Sequence, residues 1–340
     1  MSGQTHAPGL AYRPATDADW PAIADVLNAA RRADGADEVR TPESLASEYA
    51  ALVMSRDVVI AERDGAPIGY GAGQVMERSA ALVGELTGAV HPEHRRRGVG
   101  TGLLRRTRDR AVAQMDADPR PLPRELRSYA LDVETGVIAM LTAEGFAPIR
   151  FGYEMRRPLT GEIPVYPMPA GLELRPVVES DYRRIWEANE EAFLDHWGHR
   201  AATEEDFREM CFGPDMTPAH WSVAWDCDQV AGVVMTAIFR DENEQLGIAR
   251  GWLDRVSVRR PWRGRGVAKA LCAQSFRVLR EQGMVEAWLG VDGSNPTGAV
   301  KLYEGLGFTV ARGWKAYGRP VDAPAPAGWQ TAGDRATIGA

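Results

Sequence analysis

Val258-Arg-Arg-Pro-Trp-Arg263-Gly-Arg-Gly266-Val-Ala268-Lys-Ala-Leu271 puts an apolar strand end, a tight turn and a helix start in immediate succession. The first N–H groups of a helix have no partner inside it and sit at the positive end of its macrodipole, so such a junction suits a phosphate-bearing ligand. Gly264 and Gly266 let the backbone approach closely, Val267 opens the helix and Ala268 keeps the next position small. Arg263 and Arg265 are placed to add charge-assisted bonds. One glycine-bearing turn before a helix is usually only a turn. Two at matching positions mean more.

The second copy exists. Arg95-x-x-Gly98-x-Gly100 recurs as Arg263-x-x-Gly266-x-Ala268, Arg13-Pro14 as Arg175-Pro176, and Gly145-Phe146 as Gly307-Phe308, in the same order and at offsets of 168, 162 and 162 residues. The chain therefore reads as a tandem duplication. In the first half, Val90, Arg95, Arg97, Gly98, Val99 and Gly100 offer the same strand, turn and helix start. Pro158, Pro164, Pro167 and Pro169 mark a linker at 158–171, between domains at 10–157 and 172–320. The ends, 1–9 and 321–340, lack periodicity, and the alanine, proline and glycine of the second predict a loosely held tail.

Each half repeats one order of elements. A short strand (10–13, 172–175) leads to a helix announced by Thr16-Asp17 or Ser180-Asp181, and then to a hairpin turning at Asp64-Gly65 or Asp226–Asp228. A strand, the glycine turn, a long helix, another strand, a shorter helix and a last β segment follow. This order predicts an α+β fold, a mixed and largely antiparallel sheet flanked by helices, twice over.

Composition narrows the chemistry. At 340 residues, 44% apolar, the chain can fill two cores, and a net charge of −7 opposes a general nucleic-acid binder. Cys211, Cys227 and Cys272 form neither a CxxC pair nor an even framework, which predicts no disulfide scaffold, no metal site and a reducing, cytoplasmic setting. Met1–Leu10 has no basic and apolar leader pattern, and the longest apolar stretch, Val230–Phe239, is too short to span a membrane. A Rossmann fingerprint would need glycine where Leu103 and Leu271 stand, and a Walker loop would need Gly-Lys-Ser/Thr. Neither is present.

Arg-x-x-Gly-x-Gly/Ala after a Val-x-x-Pro strand end resembles motif A of the GCN5-related N-acetyltransferases, and the run from Asn295 through Tyr303 to Gly307-Phe308 resembles that family's C-terminal signature. The resemblance implies acetyl-CoA as co-substrate, its pyrophosphate on the turn amides and its thioester beside a splayed strand. It assigns Val256 as the main-chain donor to the acyl carbonyl, with Val258 ending that strand. Tyr303 is the acid that protonates the departing thiolate, and Asn295 a contact to the pantetheine arm. The first half has Leu141 in place of the tyrosine and no matching asparagine, so it keeps the turn and lacks the acid. That leaves it to bind coenzyme without turnover, to act as a wall, or to use water as proton donor.

The base is harder to assign. Strand alternation places Asp254 on the face of Val256, near an acceptor amine, with a salt bridge to an arginine as its rival role. Where the family often has a glutamate, this chain has Trp252. Upstream, Glu190, Glu191 and Asp195 suit a cationic amine, with Phe193 and Trp197 as walls; His196 and His199 lack a third ligand. The expected activity is N-acylation of a small-molecule primary amine by a monomer or homodimer that binds neither nucleic acid nor membrane. An acyl-CoA-binding regulator and a peptide or protein N-acetyltransferase are the alternatives.

Overall fold

The computed structural model describes residues 9–322 apart from 79, 195, 198, 214 and 295–297. The expected terminal segments and two candidate residues, Asp195 and Asn295, thus fall wholly or largely outside the described residues. The chain divides into two units, Met1–Phe151 with Trp314–Ala340 and Gly152–Gly313, as far as they are described.

The first unit opens with β1 (Leu10–Pro14), α1 (Trp20–Ala33), α2 (Pro42–Glu48), α3 (Met54–Asp57) and β2 (Val58–Arg63). It goes on with β3 (Ala66–Arg78), β4 (Ala81–Val90), α4 (Val99–Asp116), β5 (Arg124–Leu131), α5 (Thr135–Ala143) and the start of β6 (Ala147–Pro158). The second contains β7 (Glu173–Leu174), α6 (Tyr182–Phe193), α7 (Glu204–Phe212), β8 (Ser222–Asp226), β9 (Gln229–Ala237) and α8 (Arg240–Leu246). After these come β10 (Arg250–Val258), α9 (Val267–Glu281), β11 (Glu286–Asp292), α10 (Ala299–Glu304) and the start of β12 (Thr309–Pro320). All ladders described here are antiparallel except β4 with β5 and β10 with β11, the mixed sheet that the element order predicts.

The domain boundaries differ from the sequence expectation. Residues 314–320 of β12 pair with β5 in the first unit, and residues 152–158 of β6 pair with β11 in the second, so each half closes the other's sheet. Composition marks the proline-rich stretch at 158–171 but says nothing of strand partners. In a duplicated chain, the two last strands carry similar alternation and either sheet would accept either strand. The exchange is sealed by burial: Met155 and Ala316 are fully buried, and Tyr317 nearly so.

Both long helices lie on their sheets by their apolar stripes. From α9, Val267, Leu271, Phe276 and Leu279 join Leu253, Leu289 and Tyr303 in one cluster; from α4, Leu104, Ala111 and Met115 pack with Leu82, Leu86 and Leu126. No helix among the described residues is long and apolar enough to cross a membrane.

A fragment ending in the proline-rich stretch keeps β6 but loses β12 from its own sheet. Losing a buried side chain such as Tyr317 costs about 3–5 kcal/mol, comparable with the stability of a small domain. Residues 1–165 expressed alone should show reduced, non-cooperative thermal unfolding by circular dichroism, whereas the intact chain unfolds cooperatively.

Candidate active site

Both turns have the same backbone. α9 starts on Gly266 (φ 92°) and α4 on Gly98 (φ 78°), each left-handed and each without a side chain capping the helix N–H groups. A Cβ at Gly98, Gly264 or Gly266 would meet nothing within 4 Å, so these positions are glycine for their positive φ and not because they are crowded. Val267 and Val99 are buried and anchor the first turn, and no side chain caps the N–H groups there. The copies differ in one left-handed residue: where Gly264 has φ 74°, the first unit has Arg96 at φ 61°.

The leading arginines also tie the turn to its surroundings, a role the sequence expectation did not include. Arg263 donates from Nε to the Val258 carbonyl (2.9 Å) and from Nη2 to the Ala192 carbonyl on α6 (3.0 Å). Arg95 repeats this with the carbonyls of Val90 (3.3 Å) and Ala30 (3.2 Å), and adds a two-pronged ion pair with Asp34 at 2.7 Å. Spacing alone cannot distinguish an arginine that grips a ligand from one that ties a turn to the preceding helix. Arg265 reaches the Ala170 carbonyl at 3.3 Å, and Arg97 is exposed.

Beside each turn the parallel strands part. β10 and β11 pair only over Arg250–Trp252 and Glu286–Trp288, and β4 and β5 only over Leu82–Glu85 and Arg124–Arg127. Val256 and Val258 lie beyond the point of divergence and pack against the α9 cluster. In the first unit, the opening is a cavity of about 490 Å³ lined by Val90, Arg95, Gly98, Gly100, Met140 and Leu141 among others. The sequence pattern does not announce this cavity, whose room comes from small side chains: a Cβ on Gly100 would stand 3.2 Å from the Met140 sulfur.

Asp254 is displaced by a β-bulge. The register of β10 on β9 slips between Leu253 and Arg255, so Leu253 shares the α9 face with Val256 and Val258, which strict alternation forbids. The premise that put Asp254 on the face of Val256 therefore fails. Its carboxylate is 36% exposed and lies 3.5 Å from the Arg255 guanidinium. Tyr303 is 7% exposed, with its ring edge-on to Phe308 at 5.9 Å, in the same cluster as Val256, Val258 and Cys272. Burial, followed by the neighbouring Cys272 thiol, pushes its hydroxyl far above the ordinary phenol range, so it stays protonated. Leu141 takes its place in the first unit.

The acetyltransferase (GNAT) family profile matches residues 182–308, and an acetyltransferase (GNAT) domain profile matches 55–131. A mycothiol acetyltransferase of Salinispora arenicola is 33% identical over 307 residues, covering 88% of this chain and 92% of that one. The chain belongs to the GNAT acetyltransferase family. It is an N-acetyltransferase, and the family's co-substrate is acetyl-CoA. A mycothiol acetyltransferase of Parafrankia is 31% identical over 325 residues, covering 89% of this chain and 96% of that one. Among solved structures, a GCN5-related N-acetyltransferase from Sphaerobacter thermophilus superposes with TM-score 0.73 at 27% identity, over 93% of this chain and 97% of that one. A tandem GNAT protein from the clavulanic acid biosynthesis pathway shares the fold, with TM-score 0.66 at 18% identity over 92% and 99% of the two chains.

On the α6 side of this GNAT unit, the acidic candidates are partly spoken for. Glu191 pairs with Arg259 at 2.7 Å, and Glu190 accepts from Asn189 at 3.3 Å. Phe193 stacks on His196 with centroids 4.1 Å apart, under the Arg255 guanidinium at 5.3 Å; Trp197 is half-buried. Sequence reasoning missed an aromatic group built around Trp252, whose ring lies 5.8 Å from Trp288 and 6.4 Å from Phe239. Its signal was Trp252 standing where a glutamate is common. Elsewhere, His91, Glu93 and His94 bring ligand-type atoms within 4.8 Å of one another. Burial and then the charges of Arg63 and Arg97 lower the His94 pKa, while Glu93 raises it.

The mismatch at the turns gives a paired prediction. A left-handed conformation costs a side-chain-bearing residue about 1 kcal/mol. In urea unfolding without coenzyme, Gly264→Arg should destabilise by about that amount, and Arg96→Gly should stabilise by somewhat less, because glycine also loosens the unfolded chain.

Proposed function

We propose that the second unit transfers the acetyl group of acetyl-CoA to a small-molecule primary amine. The observation that carries this reading is the uncapped, left-handed turn at Gly266 opening beside the parted strands β10 and β11, with a protonated Tyr303 in the same apolar cluster as Val256 and Val258. The main-chain amides from Gly264 to Ala268 hold the diphosphate, and the Val256 N–H faces the acyl oxygen as negative charge develops there. The amine nitrogen attacks the carbonyl carbon, the C–S bond breaks, and Tyr303 gives its proton to the sulfur. Asn295 contacts the pantetheine arm. Asp254, exposed on its bulge, takes the amine's proton directly or through water.

The first unit holds the same coenzyme in its cavity, at Val90, Arg97, Gly98, Val99 and Gly100, and does not turn it over, since Leu141 has no proton to give. Phe193, Trp197, Glu190, Glu191 and Asp195 border the acceptor. Three free cysteines fit a reducing, cytoplasmic setting. A second reading, favoured by the relatives' names and by a tandem plan similar to that of mycothiol synthase, takes the unacetylated form of mycothiol as the amine.

The test follows thiol release from acetyl-CoA across a panel of unacetylated mycothiol, glucosamine, an aminoglycoside and an α-amino peptide. Turnover with any of the first three supports the small-amine reading, and turnover with the peptide alone overturns it. Tyr303→Phe should lower kcat by about 10²-fold while acetyl-CoA affinity stays within about twofold. Asp254→Asn should lower kcat/KM about tenfold with the best amine. Calorimetry with coenzyme A should count two sites in the intact chain, and one after Gly98→Val.

A further inference from the structure

α10 carries Tyr303 but spans only six residues, Ala299–Glu304, too few to hold a helix by its own hydrogen bonds. Its placement comes from its C-terminal end. The Phe308 N–H donates to the Tyr303 carbonyl (3.0 Å) and the Gly307 N–H to the Glu304 carbonyl (2.9 Å), with Gly307 left-handed at φ 88°. The carbonyls from Lys301 to Glu304 are all bonded within this end, whose dipole is negative. The turn beyond it is gripped by Arg157, which is 9% exposed and sits on β6 opposite Ala287. Its Nε donates to the Leu306 carbonyl at 2.7 Å, and a Cβ on Gly307 would stand 3.2 Å from that nitrogen. The guanidinium also lies 4.6 Å over the Phe276 ring; Phe276 meets Phe308 at 5.7 Å, and Phe308 meets Tyr303 at 5.9 Å.

We propose that Arg157 is a positioning residue for the transfer, fixing Tyr303 against the coenzyme sulfur from a strand contributed by the other half of the duplication. This rests on the reading of Tyr303 as the acid. The chain supplies its own control. In the first unit, Arg319 of β12 donates to the Glu144 carbonyl at 2.9 Å beside left-handed Gly145, and the Phe146 N–H donates to the Leu141 carbonyl at 3.0 Å. That is the same clamp on a helix end that bears no acid.

The experiment compares Arg157→Ala, Arg319→Ala and Tyr303→Phe in the full chain, using acetyl-CoA and the fastest amine of the panel. Arg157→Ala is expected to lower kcat about tenfold or more with KM for acetyl-CoA within about twofold, and Arg319→Ala to lower Tm comparably with kcat unchanged. In the Tyr303→Phe background, Arg157→Ala should cost no further kcat, because its effect passes through the missing hydroxyl. Equal kcat losses from the two arginine variants, or a full further loss in that background, would overturn the proposal. If Tyr303→Phe alone keeps full turnover, the reading of the acid fails first and takes this one with it. Should Arg157→Ala not fold, Arg157→Lys serves: it keeps the cation and loses the fork, and an intermediate kcat loss that vanishes in the Tyr303→Phe background is the supporting result.

Discussion

The main-chain N–H groups at the start of α9 and α4 are the constraint around which both units are arranged. A left-handed glycine begins each helix, no side chain caps it, and in each an arginine ties the turn back to the first helix of its half. Beside each turn the parallel strands pair for three or four residues and then separate, and in the first unit a cavity stands there. A helix end left this way is costly unless something anionic completes it. The fold keeps it regardless, in duplicate.

The two copies have kept this arrangement and diverged around it. The second has glycine where the turn is left-handed and a buried, protonated phenol on the last helix; the first has Arg96 under strain, Leu141, and a cavity of about 490 Å³. The shared part is backbone, and the divergent part is side chain.

What could be read from the sequence is local. Gly98 and Gly266 announce their turns because only glycine adopts that backbone freely, whereas Tyr303 is singled out only through the family resemblance of the run ending in Gly307-Phe308. What escaped depends on partners distant in the chain. The bulge at Asp254 arises between β10 and β9 and resets a side-chain parity that periodicity takes for granted. The bond from Arg263 to the Ala192 carbonyl has no trace in the spacing. Arg157 and Arg319, one repeat apart, carry no signal until their strands are found in each other's sheets.

That exchange bears on how such a protein can evolve. Once each copy supplies a strand to its sibling's sheet, deleting either half would strip the other of that strand and, for the second, of the guanidinium beneath the end of α10. Selection acting on one half therefore preserves architecture in the other, so that the two cannot drift apart as independent domains would.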